Sequence, residues 1–531
     1  MKAAATLPAL AVLGLALVIA TARLHTYHEP LERDITSAAV IGHEMLAGRS
    51  LYVDVWDHKP PAIHVTHAVA ILLAGYGPGA VYLLNVAAAI ATLGGVYLAA
   101  SAVGGVVAGL WGAVFWTLVS GDLWLQANQP NAEVFINACV AWALALLVRA
   151  SGESRVWRVL TIGGLFALAS LYKPIAAASG ALLAAAHLVA PWPGHSRRGA
   201  LADVLMIGGV GAAVWLGISA YFAARGHFSD FYQAVFAYNR YYASRYMFDD
   251  YTFREQSMLG NLVNSFHPEV LFPGALVIAA PLAVFALAGA AHGVACGARR
   301  PWLLLLGLAA GTHVAVATPG YWRPHYYQLW LPLLAVGAGW AVASFARSAP
   351  AHRWVPSALA SAAVVLMLVQ QVPLYQIPPE AWSSLKYGGN LFVFEQQLGR
   401  ELHTLLGPGE TFYEWGAEPG LYFESLHSPP SGAFYAFPLI DGPMAGPLTM
   451  RALADLERRA PTLFIINKGF LYQGRIRHPI LGWAETWYVP MAANGHYGPF
   501  SLFVRRGSRL DVKRPGVEHE ARLADQSRTN R

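Results

Sequence analysis

Long apolar segments alternate with short polar segments along the first 374 residues of the chain. A helix that crosses the hydrocarbon core of a bilayer needs about 20 consecutive, mainly apolar residues. The alternation therefore predicts a polytopic all-α membrane protein with about 11 transmembrane helices. The predicted crossings are residues 3–22, 79–102, 104–121, 133–150, 158–172, 174–191, 201–224, 270–292, 301–318, 326–346 and 355–374.

Two further features of the apolar segments affect this topology. Residues 62–77 are apolar but short, and they contain His64 and His67, which favours an interfacial helix over a crossing. The segment 3–22 has only Lys2 before it and no clear small-residue cleavage site after it. We therefore expect a retained membrane helix there, and not a cleaved signal peptide.

The arginines between the apolar segments predict the orientation of the chain, because short cytoplasmic loops are enriched in lysine and arginine. Two predicted crossings separate each basic loop from the next, so that all of these loops can be cytoplasmic. The N-terminus is then inside, and residues 23–61, residues 122–132 and the chain after 374 are outside. A single crossing at 158–191, where two short helices meet at Lys173, would reverse the downstream half. The basic loops carry Arg149, Arg155 and Arg158; Arg197 and Arg198; Arg299 and Arg300; and Arg347 and Arg353.

The chain after residue 374 has a different composition. The segments GETFYEWG, PTLFIINKG and GPFSLFVRR are typical of strands bounded by glycine or proline, and RALADLERRA has helical periodicity. We expect a transmembrane domain at 1–374, a small soluble α/β domain at 375–506 and a polar, disordered tail at 507–531.

Composition agrees with this organisation and excludes other classes of protein. Of the 531 residues, 56% are hydrophobic and 12% are charged, whereas soluble chains carry about 25% charged residues. Disordered chains need few apolar residues, and the two cysteines, Cys139 and Cys296, do not make a disulfide scaffold. The net charge of +6 comes with arginines in alternate loops, which argues for membrane orientation and against nucleic-acid binding.

The first predicted outside loop concentrates the scarce charges. Long loops on a rigid scaffold tend to carry function. The segment from Asp34 to Leu46 has helical spacing, so Asp34 would lie near a helix start, where the helix dipole keeps a carboxylate ionised. The alternative is that Asp34 is only a helix cap. The loop contains Glu29, Glu32, Asp34, Glu44, Asp54 and Asp57 together with Arg33, His58 and Lys59.

The other outside loops also carry candidate groups, each with a structural alternative. Glu133 begins an apolar helix and is either a cap-region acid or a buried acid with a partner. The loop 225–269 interleaves aromatics with Arg240, Arg245 and Arg254, as an interfacial aromatic belt also does. Arg323 and His325 stand at the start of a crossing, where arginine binds phosphate or only snorkels to the interface.

Carboxylates, cations and aromatics next to a membrane suit a phosphate on a lipid with a long apolar tail. Lysine and arginine would meet the phosphate, and the tail would lie along the helices. A carboxylate is a suitable general base for a hydroxyl that attacks an anomeric carbon. The leaving phosphate needs charge stabilisation more than protonation.

These residues resemble a family. The segment ERDITSAAVIGHEMLAGRSLYVDVWDHKPPAIHV resembles the first periplasmic loop of bacterial relatives of the dolichyl-phosphate-mannose–protein mannosyltransferases, which include the lipid A aminoarabinose transferase and galacturonosyltransferases of the lipopolysaccharide core. NAEVF, RPHYYQLWLP and YEWGAEPGLYFES resemble later elements of that family. The family pattern in the first loop falls on Asp34, Gly48, Tyr52, Asp54, Trp56, Lys59, Pro60 and Pro61.

The resemblance implies the GT-C membrane glycosyltransferase fold in a bacterial inner membrane, with catalysis on the outer face and a polyprenyl-phosphate-linked sugar donor. It implies that Asp34 is the general base, Lys59 a donor-phosphate ligand and Glu133 an orienting acid, with inversion at the anomeric carbon. The charge pattern adds Arg323 and His325 at the phosphate. The supporting residues are Glu32, Asp54, Asp57, His58 and Tyr326.

Several alternatives stay open on the sequence alone. Glu32 competes with Asp34 for the position of the family acid. The family implies no required metal, although Asp34, Asp54, Asp57 and Glu133 also suit a divalent cation. The acceptor is a glycolipid, a polysaccharide or a protein. A lipid or sugar transporter is the main alternative function, favoured by Lys173 within an apolar stretch, and a scaffold with an outer binding domain is another.

Overall fold

The computed structural model describes residues 2–149, 155–244, 257–470, 478–491 and 497–511. The chain forms two compact units. The first contains Met1–Val53 and Asp57–Gly389, and the second contains Asp54–Trp56 and Asn390–Arg531. The predicted tail 507–531 lies outside the described residues from 512 onward.

The first unit is built from helices joined by loops. Its α-helices are α1 Lys2–Leu24, α2 Arg33–Leu46, α3 Ala62–Ala74, α4 Pro78–Gly104, α5 Val106–Val119, α6 Ala132–Val148, α7 Arg155–Tyr172, α8 Ala177–Val189, α9 Arg197–Ala224, α10 Phe228–Tyr232, α11 Asn239–Ser244, α12 Met258–Asn264, α13 Pro268–Leu271, α14 Ala280–Ala295, α15 Arg299–Ala317, α16 Leu331–Ser348, α17 Val355–Gln371 and α18 Pro379–Tyr387. Short 3-10 segments at Pro174–Ala176 and Pro324–Trp330 lead into α8 and α16.

Every predicted crossing coincides with a helix, and the helical membrane fold is confirmed. Within the described part of the chain, seven helices are long and apolar enough to span a bilayer. The others are shorter or more polar: α5, α6, α7 and the segment Pro174–Val189. The number of crossings and their orientation remain predictions. The seven are Thr6–Leu24, Pro78–Gly104, Arg197–Ala224, Leu276–Ala295, Arg299–Ala317, Pro324–Ser348 and Pro350–Gln376.

Small residues let the central helices of the first unit pack closely. Ala99 and Ala100 on α4 and Ala108 and Ala113 on α5 are fully buried. Membrane helices associate through such residues, because lipid tails are as apolar as the side chains and close backbone contact supplies the attraction. By contrast, only 11% of the most apolar part of α9 is buried within the protein, so most of its apolar surface is left for lipid.

The first predicted outside loop contains a helix where the sequence predicts one, and a second helix follows the loop. Helix α2 begins at Arg33 and the predicted interfacial segment forms α3. The two helices cross at Gly42, where an added Cβ would lie 2.8 Å from the backbone nitrogen of Ala68. A side chain at Gly42 would therefore push α2 away from α3.

Helix α18 is joined to the first loop by a buried ion pair. Lys386 Nζ lies 2.5 Å from Glu29 Oε1, and both side chains are fully buried. Asn128 Nδ2 donates to Glu29 Oε2 at 2.5 Å, and Tyr387 OH donates to Gln129 Oε1 at 3.1 Å. The first unit extends to Gly389, and the start of a soluble domain at 375 remains a prediction.

The second unit has mixed α/β structure. The strand order is β1-β2-β4-β3, with β1 and β2 parallel and the other neighbouring pairs antiparallel. The predicted strands and the predicted helix are present, and β3 is an additional short edge strand. The elements are α19 Leu391–Leu405, β1 Phe412–Trp415, α20 Gly420–Ser425, α21 Phe437–Ile440, α22 Ala445–Arg458, β2 Leu463–Asn467, α23 Pro479–Trp487, β3 Tyr488–Pro490 and β4 Phe500–Arg505.

The motif YEWGAEPGLYFES forms a strand, a turn and a helix, and it carries buried acids. Glu414 and Glu418 are fully buried. Asn467, at the same end of the parallel pair β1 and β2, donates its Nδ2 to Glu418 Oε2 at 2.8 Å. Burial first, and then the charge of Glu418, raises the pKa of Glu414, so this carboxyl holds its proton inside the sheet unit.

Replacing Lys386 by methionine should destabilise the first unit strongly. Removing one partner of a buried ion pair leaves an uncompensated charge and costs about 3–5 kcal/mol. Unfolding in detergent micelles would measure the loss. The double variant Lys386→Met with Glu29→Gln should recover most of it. As a control, Arg400→Ala breaks the more exposed pair with Glu424, in which the arginine is 54% exposed, and should cost less than about 1 kcal/mol.

Candidate active site

The first turn of α2 carries Asp34. The residue before the helix, Glu32, has extended backbone angles (φ −79°, ψ 166°) and makes no side-chain cap bond. Asp34 lies two residues further on, inside the helix, so it is not the cap. Its side chain is 41% exposed, while Ile35 and Ala38 turn into the core.

A strained turn and two prolines position Lys59. Tyr52 adopts a left-handed backbone conformation (φ +70°), which is unusual for a residue with a side chain. Its hydroxyl donates to the carbonyl oxygen of Lys59 at 2.8 Å. Pro60 and Pro61 then restrict the backbone before α3 begins at Ala62. The Lys59 side chain therefore leaves from a fixed backbone.

Lys59 bridges two carboxylates. Its Nζ lies 3.2 Å from Asp34 Oδ1 and 3.5 Å from Asp57 Oδ2. Asp57 is 1% exposed and is also contacted by His58 Nδ1 at 3.1 Å and by His64 Nε2 at 3.3 Å. Of the two acids that contact the ammonium, Asp57 is buried in the protein and Asp34 lies on the more exposed side.

The charges of this group reinforce one another. Burial raises the pKa of Asp34, but the positive charge of Lys59 first, and then that of Lys173, holds it well below its usual range. Asp57 behaves in the same way, because Lys59 and His58 outweigh its burial. Both acids are therefore ionised at neutral pH.

Glu32 has the opposite behaviour to Asp34. Its side chain is 7% exposed, and its Oε1 has no hydrogen-bond partner among the described residues. Burial first, and then the nearby charge of Asp34, raises the pKa of Glu32 to about 8. Of the two candidates for the family acid, Asp34 is the ionised one at neutral pH and Glu32 is mostly protonated.

A second ion pair lies close to the first. Lys173 Nζ is 2.6 Å from Glu133 Oε1 and 4.3 Å from the centre of the Tyr326 ring. Glu133 is 1% exposed at the start of α6, and Lys173 is 17% exposed in the break between α7 and α8. Because Lys173 also acts on the charge of Asp34, the two ammonium groups border the same region.

The segment Pro324–Trp330, before α16, contributes His325 to this group of residues. His325 is 7% exposed, and its Nδ1 lies 2.9 Å from Gln126 Oε1. Gln328 donates its Nε2 to the carbonyl of Leu125 at 2.9 Å. These bonds join the predicted loop at 122–132 to the segment Pro324–Trp330. Arg323 precedes them and is exposed.

Aromatic rings cover His58. Tyr238 and Tyr242 lie 5.5 and 5.3 Å from its ring, and Asn239 donates its Nδ2 to the His58 carbonyl at 2.6 Å. This part of the predicted loop 225–269 is thus next to the residue that precedes Lys59. Of the three arginines predicted in that loop, Arg240 is exposed in α11, and Arg245 and Arg254 lie outside the described residues.

The described structure places the predicted residues unevenly. Asp34, Asp57, His58 and Lys59 are in direct contact, and Glu133, His325 and Tyr326 are linked to them through Lys173 and its electrostatic interactions. Asp54 is exposed and belongs to the second unit. The roles of all these residues remain predictions.

Two contributors are not among the predicted site residues. In the sequence, Lys173 is only a charge within an apolar stretch, yet an intramembrane cation is itself a signal for a site. Gln126, which holds His325, carries no such signal, because amides in loops are common. Within the described ranges, no three histidine, cysteine or acidic residues are arranged to hold a metal ion.

The arrangement offers two ammonium groups and an ionised carboxylate at one place. Ammonium groups in a partly buried site attract phosphate strongly, because the local dielectric is low. A carboxylate without a proton can accept one from a hydroxyl. The site is therefore suited to hold an anionic phosphate ester while a hydroxyl attacks it or the carbon it carries.

Comparison of the sequence with family models and with curated proteins finds no match. Solved structures do match. ArnT from Cupriavidus metallidurans bound to undecaprenyl phosphate superposes with a TM-score of 0.56 at 17% identity, over 94% of this chain and 98% of that chain. ArnT in the apo state gives a TM-score of 0.53 at the same identity and coverage.

A second protein has the same architecture. The archaeal oligosaccharyltransferase AglB from Archaeoglobus fulgidus, in complex with an inhibitory peptide and a dolichol-phosphate, superposes with a TM-score of 0.53 at 12% identity, over 96% of this chain and 75% of that chain. ArnT and AglB are GT-C glycosyltransferases. The chain therefore has the GT-C fold and is an integral membrane protein.

Proposed function

We propose that the protein is an inverting glycosyltransferase, which moves a sugar from a polyprenyl-phosphate donor to an acceptor of the cell envelope on the extracytoplasmic face. The observation that carries the proposal is the contact of Lys59 with Asp34, next to the pair of Lys173 and Glu133. The structures of ArnT with undecaprenyl phosphate and of AglB with dolichol-phosphate, which share the fold, support a lipid phosphate as the ligand.

The donor phosphate would bind between the two ammonium groups. Lys59 and Lys173 supply the positive charge, and Arg323, exposed at the start of the segment before α16, meets the phosphate from the open side. Glu133 holds the Lys173 ammonium in place. This set of cations also stabilises the negative charge that grows on the phosphate as it leaves.

Asp34 would take the proton of the acceptor hydroxyl. The hydroxyl oxygen forms the new bond to the anomeric carbon, the bond from that carbon to the phosphate oxygen breaks, and the electron pair leaves with the polyprenyl phosphate. A single displacement of this kind inverts the anomeric carbon. The proton stays on Asp34 until it passes to solvent, so atoms and charges balance without a cofactor.

Donor binding would also activate the base. As long as Lys59 neutralises it, Asp34 is a weak base. A phosphate that draws the ammonium toward itself removes this stabilisation and places a negative charge nearby, and both changes raise the affinity of Asp34 for a proton. The base therefore becomes effective when the donor is present.

Asp34→Asn should abolish transfer without loss of the fold, because an amide cannot accept the proton. Loss of a general base typically costs a factor of about 100 to 10,000 in rate. Mass spectrometry of envelope glycolipids and lipid-linked sugars, in cells that lack the gene and carry each variant, would show the accumulated donor and the missing product. Glu380→Gln, an exposed acid of α18, is the control. Full activity of Asp34→Asn would overturn the assignment, and movement of lipid without any new product would favour the transporter.

Lys59→Met and Lys173→Met should each weaken the binding of undecaprenyl phosphate in micelles. A charge-assisted hydrogen bond contributes about 1.5–3 kcal/mol, so we expect a rise in Kd of roughly 10- to 100-fold. The double variant Lys173→Met with Glu133→Gln avoids an unpaired buried acid and should still bind weakly. Lys468→Met removes an exposed lysine of the second unit and should bind normally. Unchanged affinity in both single variants would contradict the proposed phosphate site.

Binding of undecaprenyl phosphate should weaken as the pH rises through about 8, the pKa of Glu32. Below this pH Glu32 is neutral; above it, a second negative charge beside Asp34 repels the phosphate. Because the folded-state pKa is raised above the ordinary value of 4.5, the contribution of Glu32 to stability is lost as the pH rises from about 4.5 to about 8. Glu32→Gln should remove both effects. If binding of undecaprenyl phosphate still declines at alkaline pH in Glu32→Gln, a group other than Glu32 causes the decline.

A further inference from the structure

The second unit contains a piece of the first loop. The residues Asp54–Trp56 group with Asn390–Arg531, whereas the chain on either side belongs to the first unit. The Trp56 backbone N–H donates to the carbonyl oxygen of Gly432 at 3.2 Å. Val55 is fully buried, and Trp56 is 1% exposed, with its ring centre 6.4 Å from that of Tyr435.

The position of this segment depends on the absence of a side chain at Gly432. A Cβ added there would overlap the carbonyl oxygen of Asp54 and lie 3.0 Å from the Cα of Val55. All of these are backbone atoms, so they cannot move aside by a change of rotamer. Any residue other than glycine at this position must shift the segment or the turn that holds it.

The turn around Gly432 is itself held firmly within the second unit. The Tyr413 hydroxyl, on β1, donates to the carbonyl of Ala433 at 2.9 Å. Ser431 is fully buried; its hydroxyl donates to Asp455 Oδ2 on α22 at 2.8 Å and accepts the Ala433 N–H at 3.2 Å. A clash at Gly432 would therefore be relieved mainly by movement of Asp54–Trp56.

The segment ends one peptide bond before the acid that holds Lys59. Asp57 follows Trp56 directly and contacts the Lys59 ammonium and His64. The backbone of 58 and 59 has two further bonds, from Asn239 and from the Tyr52 hydroxyl. Displacement of Trp56 thus strains a short stretch that is fixed at its other end.

We propose that Gly432 is a positioning residue, which lets the second unit hold Asp54–Trp56 and thereby sets Asp57 and the Lys59 ammonium against Asp34. The inference rests on the proposed function only for the role of Lys59 in binding phosphate.

The test compares Gly432→Ala with Gly446→Ala in the full-length protein. Gly446 lies in α22 with open space around its added Cβ. Brief labelling with an amine-reactive reagent, read by mass spectrometry, reports the accessibility of each lysine. In Gly432→Ala, labelling of Lys59 should rise, while Lys173 and Lys386 stay as in the wild type. Affinity for undecaprenyl phosphate should fall by up to about 100-fold, the scale of a misplacement of 1 Å.

A second, milder variant distinguishes a change in the position of Lys59 from misfolding. Tyr413→Phe removes one bond to the turn and should raise Lys59 labelling in the same direction, by less. Wild-type labelling in both variants would overturn the inference, and so would a uniform rise over all lysines, because Gly432 would then serve the fold and not the position of Lys59. Raised labelling of Lys59 with unchanged phosphate binding would support the positioning role and refute the proposed function of Lys59.

Discussion

The contact of Lys59 with Asp34 and Asp57 is the interaction on which the candidate site depends. Each of these charges would be costly near a membrane by itself, and together they form an arrangement that keeps all three ionised. Asp57 lies behind, almost fully buried and held by His58 and His64. Asp34 lies in front, on the more exposed side. The lysine is therefore held by one acid and shared with the other.

The same constraint explains the other polar groups of the first unit. A chain with 12% charged residues places several of them inside a helical bundle, where they have specific partners. Lys173 pairs with Glu133, and Lys386 pairs with Glu29. Arg23, 4% exposed on α1, donates to Asn85 Oδ1 at 3.0 Å and to the Ser120 carbonyl at 2.5 Å. These contacts connect segments that are far apart in sequence, so that the polar groups also determine how these segments assemble.

Much of the fold follows from local pattern. Apolar segments of the length of a bilayer form helices, and the alternating segments after residue 374 form strands, because both signals are contained in a short window. The start of α2 after Glu32 and the break between α7 and α8 at Lys173 and Pro174 are also signalled by a short stretch of sequence. The three-residue strand β3 has too few residues for a periodicity, so the sequence pattern does not predict it.

The pairing of distant residues is the part that the sequence does not contain in a readable form. Nothing near Lys173 points to Glu133, and nothing near Trp56 points to Gly432, since each contact is made only when separate segments fold together. The choice between the two acids at the start of α2 also depends on contacts with distant residues. The sequence favours Asp34 by its position before the helix, with Glu32 as its competitor, and the difference in their charge comes from the contact of Asp34 with Lys59 and from the burial of Glu32.

The pairing also bears on when the proposed base acts. In the proposed reaction, Lys59 holds Asp34 until an anion competes for the ammonium, so that the basicity of Asp34 rises only when the donor is bound. The position of Lys59 decides how completely its ammonium passes from Asp34 to the phosphate. On this argument the geometry of Asp57 and Lys59, more than the identity of the base alone, determines whether the proposed reaction is efficient.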